Sequence, residues 1–337
     1  MKLPAPRGPI STELFEGMRH APGPFPPGVG KLVAARARSD EDARTCEDVQ
    51  ISLFVCYGMH YGTFDDVDER WEWQPSLLEI RAGLEEVFER DFTKDLQITA
   101  PVPAADIPTY LMELTSPAHT STLPRFIHHT ATLEQFRELV IHRSIDNLHE
   151  GDAHTWAIPR VSGRAKSALV EIQADEYGGG MPGRMHAELY AYLMEELDLE
   201  PGYGAYIEQI PAIALAIHNL KSFFGLHRRW RGALLGNLAV TEIGSSITNR
   251  KYSEALARVG ASDRARWFYD EHITADAVHE QLAAHDMCGA FAHDHPEETV
   301  RVMIGAAATL DIRGMFANTA THAWADNVSS LRVPTPV

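Results

Sequence analysis

Phe268-Tyr-Asp-Glu-His-Ile-Thr-Ala-Asp-Ala-Val-His-Glu280 decides how this chain is read. It holds His272, Asp276 and His279 at i, i+4 and i+7, so on an α-helix the three side chains share one face, each about a turn from the next. Ser262-Asp263 supplies an N-cap for such a helix. Two imidazoles and a carboxylate on one stripe can close on one metal ion or span two. A solvated polar stripe flanked by Glu271 and Glu280 has the same spacing, so partners elsewhere must decide. Glu242 is one candidate: it lies in Leu235-Gly-Asn-Leu-Ala-Val-Thr-Glu-Ile-Gly-Ser-Ser246, where a carboxylate is costly to bury unless it is paired or ligates a cation. Glu176 ends a segment whose apolar face carries Leu169, Val170 and Ile172, with Asp175 beside it as the surface acid. Gly178, Gly179, Gly180 and Pro182 then break the helix before His186, which lets Glu176 and His186 be aimed separately. Glu150, next to Gly151, is a further carboxylate at a helix end. Three imidazoles with three or four carboxylates suit iron, which accepts mixed nitrogen and oxygen ligation.

Around this stripe the pattern is helical throughout. Residues 1–31 are rich in Pro and Gly and read as an irregular arm. Pro75 to Phe88 reads as a helix with Leu77, Leu78, Leu84, Val87 and Phe88 on one side. Pro101, Pro103 and Pro108 mark a boundary at about 95–108. From Thr132 onward helices are expected at 133–149, with Phe136, Leu139, Val140 and Ile145 inward, and at 167–177. Others are expected from near Pro182, with that proline in the first turn, at about 209–224 and 227–246, and from Asp294 to about Ala320. No strand alternation follows residue 100. The expectation is an all-α bundle with an N-terminal helical appendage: an N-terminal segment over 1–108, a main body over 109–325 and a tail over 326–337.

Composition narrows the function. The formal charge of −17 argues against nucleic acid as a partner, because phosphate neutralisation needs clustered Lys and Arg. No apolar run is long enough to span a bilayer, and the N-terminus lacks the apolar core of a secretory signal. Cys46, Cys56 and Cys288 are odd in number and scattered, so a reducing cytoplasm is the expected compartment.

The order Glu176-x9-His186, Glu242, His272-x3-Asp276-x2-His279 resembles the haem-oxygenase-like diiron oxidases, also described as iron-containing redox enzymes, over roughly residues 120–320. The resemblance implies the all-helical haem oxygenase fold without haem. It implies two irons that react as Fe(II) with dioxygen, an external reductant, and Glu176, His186, Glu242, His272, Asp276 and His279 as ligands. Glu150 is similar to the additional carboxylate of the N-oxygenating members. Within the family the chain looks most like the oxidase domain of the streptozotocin-pathway N-oxygenase, without that enzyme's C-terminal cupin. Its N-terminal segment would then match a dimerisation region, giving a homodimer. The implied activity is N-oxygenation of a small amine, guanidine or amino acid in specialised metabolism. Desaturation, cyclisation or C–C cleavage of an aliphatic amino acid is the alternative within the family. A helical metal-storage protein and a haem-binding protein on the same fold are the alternatives outside it. The carboxylate-rich set disfavours haem, which needs only an axial ligand.

Overall fold

The computed structural model describes residues 1–98, 100–116 and 122–333, the side chains of Asp276 and Ala277 excepted. Among the described residues the regular structure is helical and there is no strand. The chain divides into two compact units, Met1–Asp95 with Gly204–Phe223 and Leu331–Val337, and Leu96–Tyr203 with Phe224–Ser330. The recruitment of 204–223 into the first unit has no sequence signal that marked it.

The first unit is built on α1 (Pro9–Met18), α2 (Pro27–Ala37), α3 (Glu47–Gly58) and α4 (Pro75–Thr93). The expected irregular arm therefore carries α1 and the start of α2, with irregular chain at 1–8 and 19–26. Pro9 and Pro27 stand at helix starts, where a missing N–H costs nothing and the fixed φ is already helical. The cap of α1 comes from far along the chain: the Asp48 carboxylate accepts from Ile10 N at 2.8 Å and Ser11 N at 2.7 Å. In α4 the buried stripe is Leu77, Ile80, Leu84, Val87, Phe88 and Phe92, and Leu78 is half-exposed. Ile80 takes the place the sequence reading gave to Leu78, because i+3 and i+7 from Leu77 return to the same face while i+1 lies about 100° away.

The second unit contains α5 (Ile107–Leu114), α6 (Leu123–His129), α7 (Leu133–Asn147), the single turn α8 (Asp152–Thr155), α9 (Gly163–Glu176) and α10 (His186–Glu196). Beyond α11 (Ala212–Leu226), which runs from the first unit into the second, come α12 (Arg231–Glu242), α13 (Ser245–Arg258) and α14 (Asp263–Gln281). A π-helical stretch, Leu282–Gly289, continues α14 into α15 (Ala290–Asp294), and α16 (Thr299–Ala325) is the longest element. Phe136, Leu139, Val140 and Ile145 are buried as expected.

Three boundaries differ from the sequence reading. The segment 227–246 is not one helix: α12 stops at Glu242 and Gly244, at φ +74°, turns the chain into α13. Such a φ suits glycine and interrupts the α-helical ladder. Pro182 lies in the loop before α10, which starts at His186, so it is not a first-turn proline. The last long helix starts at Thr299, after the π-helical stretch and α15. At the centre of the unit α12 and α16 cross backbone to backbone, and a Cβ at Gly236 or Gly305 would collide with the carbonyls of Val302 or Ala233.

Candidate metal centre

Local features of the chain place the candidate ligands whose side chains are described. Glu176 is the last residue of α9, and His186 is the first of α10. The glycine loop between them doubles back so tightly that a Cβ on Gly178, at φ +64°, would lie 2.6 Å from the Arg184 carbonyl carbon. That approach returns His186 to Glu176, and Nδ1 stands 3.2 Å from Oε2. Glu150 lies on the turn between α7 and α8. His272 and His279 are buried residues of α14, which Ser262 caps by accepting from Ala265 N at 3.1 Å. Glu242, at the end of α12, is 4 % exposed.

Two groups result. In the first, ligand atoms of Glu150, His186 and His272 all lie within 4.8 Å of one another. His272 Nε2 is 3.8 Å from Glu150 Oε2, and the His186 and His272 rings are 4.2 Å apart. Glu176 joins this group through His186. In the second, His279 Nδ1 stands 3.4 Å from Glu242 Oε2. The side chain of Asp276 lies outside the described residues.

The hydrogen bonds around the imidazoles set their tautomers. His272 Nδ1 donates to the Phe268 carbonyl at 2.7 Å, so its Nε2 lone pair faces Glu150. His279 Nε2 donates to Asp175 Oδ2 at 2.9 Å, so its Nδ1 lone pair faces Glu242. A lone pair and a carboxylate oxygen that face one another require a proton or a cation between them. At Glu176, burial pushes the carboxyl up, but the neighbouring imidazoles, His186 first, outweigh it and hold it below the usual carboxylate range. A buried carboxylate held ionised needs positive charge beside it, from a protonated imidazole or from a bound cation in its place.

The donor set fits iron. Two donors of one ion at bonds of about 2.0–2.2 Å stand roughly 3–4 Å apart, the range of the 3.2, 3.4 and 3.8 Å separations seen here. Mixed imidazole and carboxylate donors suit iron rather than a thiolate-seeking ion, and the three cysteines are free and buried elsewhere.

Sequence reading missed two residues at this site. Asp175 was the expected surface acid, and its side chain is 54 % exposed, yet it holds His279. Adjacency to Glu176 was the only signal. His154, whose Nε2 is 2.8 Å from Asn237 Oδ1, acts on Glu176 and had no signal among so many histidines.

A helical bundle that gathers buried histidines and carboxylates from separate helices is the architecture of a metal-dependent protein of the haem-oxygenase-like fold. The comparison with protein families agrees: the family described as iron-containing redox enzymes matches residues 137–314, more than half of the 337 residues. The chain belongs to this family and is an oxidoreductase. No curated protein matches it. No helix among the described residues is long and apolar enough to cross a membrane.

Proposed function

We propose that this protein is a non-haem diiron oxidase that N-oxygenates a small amine, guanidine or amino acid. The ligands are Glu150, Glu176, His186, Glu242, His272, Asp276 and His279. The observation that carries the reading is the convergence of Glu150 with His186 and His272, with ligand atoms within 4.8 Å of one another. Glu150 is the additional carboxylate that the family resemblance links to attack on nitrogen. The second pair, Glu242 with His279, supports a second ion.

When bound, iron supplies the electrons that activate dioxygen. The balance for an amine is R–NH2 + O2 + 2 e⁻ + 2 H⁺ → R–NHOH + H2O, and the electrons come from an external reductant. The chain does the positioning. The Phe268 carbonyl and the Asp175 carboxylate hold the proton on the outer nitrogen of His272 and His279, which keeps the inner nitrogen available as a donor. Glu176, Glu242, His186, His272 and His279 are each less than a tenth exposed, which keeps bulk water from the reacting atoms.

Anaerobic titration with Fe(II) should give two irons per chain. Iron-dependent oxygen uptake should then depend on an added amine or amino acid, with one oxygen gained in the product mass. A product that has lost two hydrogens or a fragment would favour oxidation of an aliphatic amino acid. Iron uptake without substrate-dependent oxygen consumption would favour storage, and no uptake would sink the metal reading altogether.

A further inference from the structure

Arg143 on α7 and Arg313 on α16 lie deep in the second unit, and both keep some accessible surface. Among the described residues neither guanidinium has a carboxylate at ion-pair distance. Arg143 donates to the Tyr252 hydroxyl at 3.2 Å and lies 5.0 Å over the Tyr252 ring. Arg313 donates to Thr241 Oγ1 at 3.0 Å. Burial lowers the pKa of Arg313, Asp146 and Glu150 counter this from beyond ion-pair range, and the like charge of Arg143 lowers it further. Charges in protein interiors are ordinarily paired, because removing them from water is costly.

A third group points the same way. The Tyr269 hydroxyl is fully buried and has no hydrogen-bond partner among the described residues. It interacts electrostatically with Arg143 and Glu150. A buried hydroxyl without an acceptor is uncommon and calls for one. Asp146 and Glu150 are the acids that act on Arg313, and Glu150 already faces His272.

We infer that Arg143, Arg313 and the Tyr269 hydroxyl anchor a carboxylate of the substrate beside the metal cluster. This assignment rests on the reading of Glu150, His186 and His272 as metal ligands. Tyr269 precedes His272 by three residues on α14, and Arg143 precedes Glu150 by seven along α7 and the turn after it. The anchor therefore lies on the order of 5–10 Å from the cluster, one to two helical turns. A molecule that spans both has its carboxylate several bonds from the atom that is oxidised. Guanidinium pairs and a tyrosine hydroxyl match a carboxylate's two oxygens.

The test is thermal melting of the protein, metal-free and after anaerobic loading with Fe(II). The probes are acetate, hexanoate and L-arginine, each against its carboxamide at fixed ionic strength. At least one acid should raise the midpoint where its amide does not. Arg313→Met should weaken the apparent affinity for that acid at least about tenfold. Its own melting point should be no lower than wild type, since a buried unpaired charge gives way to an apolar chain. Tyr269→Phe keeps the ring packed and should also lose affinity, so it decides the matter if Arg313→Met folds poorly. Equal behaviour of every acid and its amide, or a shift that survives in both variants, overturns the inference. Iron uptake is read separately on the same samples. A carboxylate effect without iron uptake would remove the metal reading and leave the anchor, and iron uptake without a carboxylate effect would do the reverse.

Discussion

The His279 imidazole is held from outside by Asp175, with Nε2 2.9 Å from Oδ2. The bond fixes which nitrogen faces Glu242, so Asp175 positions a proposed ligand without being one. Outer partners of this kind commonly change metal affinity by about 10–100-fold. Asp175→Ala should weaken Fe(II) binding by that order in an anaerobic titration. Because the Asp175 side chain is half-exposed, melting of the metal-free protein should barely move. Asp175→Asn, which keeps an acceptor oxygen, should restore part of the affinity. Unchanged iron affinity in the alanine variant would reduce Asp175 to a surface acid.

Glu150 tests the proposed division into two metal sites. Its carboxylate belongs to the group with His186 and His272, not to the one with His279 and Glu242. Glu150→Gln keeps the shape and removes the charge, so iron stoichiometry should fall from two towards one per chain. A variant that still binds two irons with wild-type affinity would place Glu150 outside the ligand set and remove the main reason to rank nitrogen above C–H bonds.

The sequence was informative where chemistry and period coincided. That His272 and His279 share a face could be read from spacing, because a helix puts i and i+7 on one side whatever surrounds it; that this face is buried could not. Glu242 was legible from its apolar neighbours, although its position at a helix end was not: Gly244 looked like one more small residue. The glycine loop before His186 signalled a break, but the close approach at Gly178 that returns His186 to Glu176 depends on three-dimensional closure. The arm at 1–31 was misread because the cap of α1 is Asp48, which no local window contains. Arg143 and Arg313 escaped for the same reason. On an amphipathic helix an arginine reads as surface, and only packing reveals its depth.

The crossing of α12 and α16 should be intolerant of even one methyl group. An added Cβ at Gly236 or Gly305 meets backbone carbonyls, which cannot rotate aside as a side chain would. Gly236→Ala and Gly305→Ala should each cost about 3 kcal/mol or more by forcing the helices apart. Gly314→Ala, in the same helix with nothing within 4 Å of the added Cβ, should instead gain about 0.5–1 kcal/mol from helix propensity and a less flexible unfolded chain. Chemical denaturation of the three variants checks the contrast. Equal effects would mean that the contact at the crossing relaxes freely.

His142 should make stability fall on mild acidification. Burial pulls its pKa down to about 4 from an ordinary 6.5; Glu138 opposes the shift and Arg143 adds to it. Ser330 Oγ donates to Glu138 at 2.7 Å, so it can accept from His142 Nε2, 2.8 Å away, and the ring is held neutral. Above pH 6.5 the imidazole is neutral in both the folded and unfolded chain and contributes no pH dependence. As the pH drops from 6.5 towards 4, the unfolded chain takes up a proton that the folded one refuses. Stability is therefore lost over that window, approaching about 3 kcal/mol at its lower end. Other groups titrate in the same range, so the measurement is the difference between wild type and His142→Gln, which cannot take up the proton. Urea unfolding at pH 7.5, 6, 5 and 4.5 should show wild type losing progressively more stability than the variant. Parallel pH profiles would mean that the His142 ring reaches solvent or a countercharge once protonated.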